Sequence, residues 1–183
     1  MRRQHAAGYI LRLALTLLAI TAAVAAALSA VNGVTAPIIQ ELTARKTQAA
    51  IEAVLPGGGE KLPDFSDDTG LVQAVYASQT GYAVQVAPNG FDGPIVMMVG
   101  FDKSGKVLGI DIISHSETAG LGALAGADNS KGQAFREQFA GTDGKLAVDK
   151  DGGQIDGLTS ATITSRAVVQ GVNAARKCVE KLG

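Results

Sequence analysis

The stretch Asp156-Gly157-Leu158-Thr159-Ser160-Ala161-Thr162-Ile163-Thr164-Ser165 carries a hydroxyl or a carboxylate at six of its ten positions and runs directly into an apolar, helix-periodic segment. Hydroxyls at that place admit two chemistries. Ser and Thr side chains accept hydrogen bonds from the free amides of a first helical turn, which is capping. The same amides, with the partial positive charge of a helix N-terminus, also stabilise a phosphate; a hydroxyl such as Thr162 would then hold the phosphate or carry it as an ester. From the residues alone, capping is the expected reading and phosphate binding the alternative.

A second group lies upstream, His115-Ser116-Glu117-Thr118-Ala119-Gly120-Leu121-Gly122. Its Gly-Leu-Gly suits either a tight turn or a backbone that approaches a ligand closely. The remaining inventory excludes more than it offers. One cysteine and two histidines, Cys178, His5 and His115, rule out an internal disulfide, a four-cysteine iron-sulfur cluster, a C-x-x-C-H haem site and a zinc finger. No metal site is expected, and any redox function must use an organic cofactor or another chain. No strand-Gly-x-Gly-x-x-Gly-helix unit is present, so NAD binding is not expected. His115 is read as a loop histidine without a proton-transfer role. Residues 32–183 hold 13 Lys/Arg against 17 Asp/Glu with no basic stripe, which argues against nucleic acid. The 23 glycines are aperiodic and point to turns and close approaches rather than to collagen.

These residues need elements to position them. From Leu13 to Val31 there are 19 uncharged residues, close to the roughly 20 that cross the hydrocarbon of a bilayer as a helix. The run is longer than the ~7–15 apolar residues of a cleaved leader, so a retained span is expected. Its many alanines suit close packing against other helices. Arg2, Arg3 and Arg12 precede it and no basic residue follows until Arg45, which places the N-terminus in the cytoplasm and the body outside. The expected organisation is a basic head over 1–12, a transmembrane helix over 13–31, a stalk or packing helix and linker over 32–60 beginning at Pro37, and an extracytoplasmic domain over 61–183.

Within that domain, strands are expected at Leu71–Ala77, Tyr82–Ala87, Ile95–Phe101 and Val107–Ser114, separated by Thr80-Gly81, Asn89-Gly90 and Lys103-Ser104-Gly105-Lys106. A short helix is expected near Gly132–Phe139 and a weak strand at Lys145–Val148. From Thr164 to Leu182 the apolar positions Val168, Val172, Ala175, Val179 and Leu182 recur at helical spacing, with Cys178 on or beside that stripe as a packing residue. The fold class is therefore α+β: a twisted antiparallel sheet closed by a C-terminal helix.

Asp156-x-x-Thr159-Ser160-Ala161-Thr162 resembles the flavinylation motif Asp-x-x-Ser/Thr-Gly-Ala-Thr of the covalent FMN-binding domains found in Rnf complexes and in the Na+-translocating NADH:quinone reductases. Ser160 stands where the family usually has glycine. His115 to Gly122 resembles the family's His-x-Glu-Thr-Pro-Gly-Leu-Gly, with Ala119 in place of proline, and Phe135-x-x-Gln138-Phe139-x-Gly141 resembles the short helix between the two motifs. The chain's length favours the Rnf-type G subunits over their longer quinone reductase counterparts.

The resemblance implies FMN esterified through its phosphate to Thr162 by a flavin transferase that uses FAD. It implies a cofactor site drawn from Asp156, Thr159, Ser160, Ala161, Thr162, Glu117, Thr118, Gly120, Leu121 and Gly122. It also implies an electron-carrying flavoprotein subunit, not catalytic alone. Its partners would be the other subunits of a membrane complex that couples ferredoxin:NAD+ electron transfer to Na+ or H+ movement, together with membrane lipid. The alternatives are a membrane-anchored assembly or interaction protein without cofactor, and an extracytoplasmic FMN-binding sensor or electron donor outside such a complex.

Overall fold

A computed structural model describes residues 2–182, with side chains from residue 9 onward; His5 lies outside the described side chains. The chain divides after Ala44 into two units.

The described residues of the first unit are all helical and belong to α1, which runs Arg2–Val54. Its large apolar side chains from Tyr9 to Leu42 are exposed, and its most apolar window has a mean hydropathy of 2.2, long and apolar enough to cross a membrane. Thr16, Thr21, Thr35 and Thr43 donate their hydroxyl protons to the carbonyls four residues earlier, at 2.8–3.0 Å. Each of these hydroxyls is thereby satisfied within an apolar surface. The sequence suggested a break before a second helix at Pro37. Instead α1 is continuous through it: the proline removes its own bond to the carbonyl four residues back, here that of Gly33, and the helical bonds on either side continue.

The second unit, Arg45–Gly183, is built on a five-stranded antiparallel sheet in the order β1 (Glu60–Lys61), β2 (Val72–Ala77), β3 (Gly81–Val86), β4 (Val96–Asp102), β5 (Val107–Ser114). The α+β reading and the four longer strands agree with their apolar patterns. β1 is only two residues long and carries no apolar signal. The sheet is buried on both sides. On one face the last turns of α1 place Ala50, Ile51, Val54 and Leu55 against Ala83, Met98 and Ile113. A Cβ at Gly100 would strike the carbonyl and side chain of Val54, so glycine is what lets β4 approach this helix. On the other face lie Val168, Val172, Ala175 and Val179 of α3 (Thr162–Val179), packed with Val75, Val86, Met97, Val99 and Phe101. Double coverage explains why β4 is buried at five consecutive positions rather than alternate ones.

α2 (Ser130–Glu137) is capped by Asn129, whose side chain accepts from the amides of Lys131 and Gly132 at 3.1 and 2.9 Å. Phe135 and Phe139 meet edge to face, 5.5 Å between ring centres. The segment expected as a strand at Lys145–Val148 forms only an isolated bridge, Val148 to Ile155. Asn173 on α3 substitutes for a neighbouring strand there: its side chain accepts from the Leu146 amide at 2.9 Å and donates to the Leu146 carbonyl at 2.8 Å. Cys178 is free and buried, and burial pushes its thiol pKa up, as expected of a packing cysteine. Arg176 is also buried. It donates to the Gly105 carbonyl at 2.6 Å and lies over the Phe101 ring at 5.7 Å, tying the β4–β5 turn to α3.

Candidate functional site

The start of α3 is set by Ser165, which is fully buried. Its hydroxyl accepts from the Leu158 amide at 2.9 Å and donates to the Ala161 carbonyl at 3.0 Å, closing the chain into a tight turn over residues 158–161. Ser160 sits at the apex with φ +62°, the one non-glycine residue among those described in the left-handed region. This is the position where the resembled motif has glycine. Glycine adopts that conformation without a Cβ penalty, whereas serine incurs a cost of about 1 kcal/mol. The turn thus explains the motif's preference, and Ser160 fits it under strain.

Upstream, the turn is anchored through its backbone. The Asp156 amide donates to Gln138 Oε1 at 2.7 Å, Gln138 Nε2 donates back to the Asp156 carbonyl at 3.2 Å, and the Gly157 amide donates to Asp149 Oδ1 at 3.1 Å. Gln138 belongs to the Phe-x-x-Gln-Phe segment, so that segment braces the hydroxyl-rich turn.

The capping chemistry weighed from the sequence does not occur at this helix. Ala161 occupies the N-cap position and makes no side-chain cap. Thr162 is therefore the first residue of a helix whose N-terminus keeps its electrostatic character. It lines a half-open cavity of about 310 Å³ together with Phe91, Glu117, Thr118, Leu121, Gly122, Ser160, Ala161, Ile163 and Thr164. The two sequence motifs, far apart along the chain, meet here.

Glu117 organises this meeting. The residue is only 7% exposed, yet its carboxylate is fully engaged. Oε1 accepts from the amides of Phe91 and Asp92 at 2.8 and 3.1 Å, and Oε2 accepts from the Thr164 hydroxyl. One side chain thus joins the loop before β4, the Gly-Leu-Gly segment and α3. The Glu117 amide donates to His115 Nδ1 at 3.2 Å, and the Thr118 hydroxyl donates to Asp92 Oδ2 at 3.0 Å, bracing the same loop. A Cβ at Gly122 would lie in van der Waals overlap with both the Thr164 hydroxyl and the Glu117 carboxylate. Glycine is required there by close approach, whatever the cavity holds.

Three large apolar side chains rim the opening: Phe91 at 65% exposure, Ile163 at 51% and Leu121 at 41%. Beyond α1, the described residues include only one other exposed large apolar side chain, Leu108. Apolar surface concentrated at one cavity mouth is a binding feature rather than scatter.

Of the residues singled out in the sequence, Glu117, Thr118, Leu121, Gly122, Ser160, Ala161 and Thr162 surround the cavity. Asp156, Thr159 and Gly120 stand outside its lining. Phe91, Ile163 and Thr164 were missed. An exposed aromatic inside the glycine-rich stretch Asn89-Gly90-Phe91-Asp92-Gly93 was the available signal for the first. Lys150 was missed as well: its Nζ donates to Thr162 Oγ1 at 2.9 Å. It lies in a one-turn 3-10 segment, Asp149–Asp151, held by a two-point pair between Asp151 and Arg166, with Nε and Nη2 donating at 2.7 and 2.5 Å. Hydrogen bonding from Arg166 keeps the Asp151 carboxyl below its usual range and raises the guanidinium in turn.

Comparison with known proteins gives the family. The sequence model of the FMN-binding domain matches residues 90–177, a stretch that contains both motifs. The G subunit of the Na+-translocating ferredoxin:NAD+ oxidoreductase complex of Acetobacterium woodii is 31% identical, over 94% of this chain and 93% of that protein. The G subunit of the ion-translocating oxidoreductase complex of Shewanella loihica is 38% identical over 66% of this chain and 56% of its own length. The corresponding G subunit of the proton-translocating ferredoxin:NAD+ oxidoreductase complex of Clostridium ljungdahlii is 41% identical over 55% of this chain and 56% of its own. The chain thus spans little more than half the length of some relatives it matches and nearly all of another. On the strength of the nearly full-length match, this chain belongs to the family of G subunits of ion-translocating oxidoreductase complexes.

Proposed function

We propose that this chain carries FMN as a phosphoester on Thr162 and serves as an electron-carrying subunit of a membrane complex that couples ferredoxin:NAD+ electron transfer to cation movement. The observation that carries this reading is the position of the Thr162 hydroxyl, on the first residue of an uncapped helix and at the wall of an apolar-rimmed cavity.

The residues present suit the cofactor. A phosphate at Thr162 meets the positive end of α3, and Phe91, Leu121 and Ile163 offer apolar contact to a flat ring system. Gly122 lets Glu117 and Thr164 close against one another and so fixes the wall of the cavity. Bound FMN supplies the reversible electron chemistry. The protein's part is to retain and orient it: Glu117 and Ser165 hold the walls in register through hydrogen bonds that are already satisfied within the protein. An ester makes retention independent of affinity, which matters for a domain facing the outside of the cell.

In this reading the apolar part of α1 crosses the membrane. The arginines before it keep the N-terminus cytoplasmic, and residues 61–183 form the extracytoplasmic domain. No ionisable residue occurs between Leu13 and Val31, so that stretch carries no charged ligand for a translocated ion. The partners are the other subunits of the complex and the flavin transferase that loads FMN from FAD.

Intact mass of the full chain, expressed in membranes with a flavin transferase, tests the site. The expected mass exceeds that of the polypeptide by FMN less one water, and Thr162→Ala removes the addition completely. A colourless protein of polypeptide mass would instead identify an assembly protein without cofactor. A flavin-loaded protein that purifies without stoichiometric membrane partners would identify a sensor or donor outside the complex.

A further inference from the structure

We propose that Lys150 positions the phosphate at Thr162, its ammonium meeting the charge of the phosphoester and steadying the threonine oxygen while the ester forms. The inference rests on the reading of Thr162 as the attachment residue, and it names a residue that neither sequence motif contains.

The contact itself is direct, Lys150 Nζ to Thr162 Oγ1 at 2.9 Å, and its construction is specific. Lys150 is flanked by two carboxylates, Asp149 and Asp151, either of which would compete for its ammonium. Both are engaged elsewhere. Asp149 Oδ1 accepts from the Gly157 amide at 3.1 Å, and Asp151 is paired with Arg166. These two contacts also tether the lysine's turn to the chain on both sides of Thr162, at Gly157 before it and Arg166 one helical turn after it. The ammonium is thereby delivered to the threonine by the fold. Glu117, the charged group of the cavity wall, faces Phe91, Asp92 and Thr164 rather than Thr162.

In attachment, Thr162 Oγ1 bonds to the FMN-side phosphorus of FAD, the bridging P–O bond to the AMP half breaks, AMP leaves and the hydroxyl proton is released. Nothing is oxidised or reduced. Lys150 does not remove that proton. As a donor to Oγ1 it lowers the cost of negative charge on the oxygen during attack, and afterwards it faces the single negative charge that the phosphodiester keeps. Lys150 is exposed, so salt screens its effect and its contribution is modest.

The test uses the full chain in detergent, prepared without flavin, then given purified flavin transferase and FAD. Flavin loading is followed by intact mass. Lys150→Gln is expected to load about two- to fivefold more slowly at low salt, Lys150→Arg to recover most of the rate, and the deficit to shrink as salt is raised. On the loaded protein, the 31P resonance of the phosphodiester is expected to move in Lys150→Gln and to stay in place in the exposed control Lys131→Gln. Loading of Lys150→Gln at the wild-type rate, or a 31P resonance that this change leaves unmoved, overturns the proposal while Thr162 attachment stands. Wild-type protein that gains no flavin mass, or gains it away from Thr162, overturns both readings together.

Discussion

The threonines of α1 and the hydroxyls at the start of α3 bear the same functional group and use it in opposite ways. Along α1, Thr16, Thr21, Thr35 and Thr43 each return their proton to the preceding turn of their own helix, so the group vanishes from the helix surface. At α3 the hydroxyls act between segments. Ser165 closes a turn, Thr164 donates to a carboxylate 47 residues away in sequence, and Thr162 receives a hydrogen bond from Lys150. The lesson is that a hydroxyl is available for chemistry only where it is not spent on a carbonyl of its own helix. Ser165 closes the turn and Glu117 takes up the Thr164 hydroxyl, while Thr162 faces the cavity.

The largest effect expected from this contrast concerns Thr162. Thr162→Ser keeps the hydroxyl at the head of α3 and is expected to retain flavin under denaturing electrophoresis, whereas Thr162→Ala retains none. Loss of flavin in the serine variant would show that more than the hydroxyl's position is needed. Next comes Glu117. Glu117→Ala strands the Phe91 and Asp92 amides and the Thr164 hydroxyl, and is expected to cost about 2–4 kcal/mol; Glu117→Gln, which keeps an acceptor oxygen, costs about 1 kcal/mol. Thermal unfolding of the solubilised chain reads both, at roughly 2–4 °C per kcal/mol for a chain of this size.

Ser160→Gly acts in the other direction. Relief of the left-handed serine is expected to stabilise the second unit by up to about 1 kcal/mol, raising its midpoint by a few degrees. A lowered midpoint would mean that the serine side chain makes a compensating contact. The smallest effect belongs to α1, where Thr21→Val exchanges a self-satisfied hydroxyl for a methyl and is expected to alter stability by less than ~0.5 kcal/mol.

Much of this was legible from residue types. Val and Ile runs between Thr80-Gly81, Asn89-Gly90 and Lys103–Lys106 mark the strands because apolar patterning and turn chemistry act locally. The final helix follows from its 3.6-residue stripe for the same reason. Continuity through Pro37 was not legible, because proline is a local signal and the helix around it a cooperative one. Nor was the failure of residues 145–148 to become a strand, since the partner that satisfies Leu146 is the Asn173 side chain, 27 residues away. The strain at Ser160 shows in the sequence only as a departure from a motif. It acquires a physical cause once φ is known.

The sequence by itself determined which chemistries were open: no internal disulfide, four-cysteine cluster or zinc finger, a hydroxyl-rich helix start suited to phosphate, and an apolar run long enough for a membrane. The tertiary structure decided which hydroxyl is available and what surrounds it. Glu117, Phe91, Lys150 and Thr162 are scattered over 72 positions of chain. Only the packing of α3 on the sheet and of the loops against its first turn brings Phe91, Glu117 and Thr162 to one cavity, with Lys150 reaching Thr162. Hydrogen-bond partnership depends on distance in space, and spacing along the chain carries that information only within a single element.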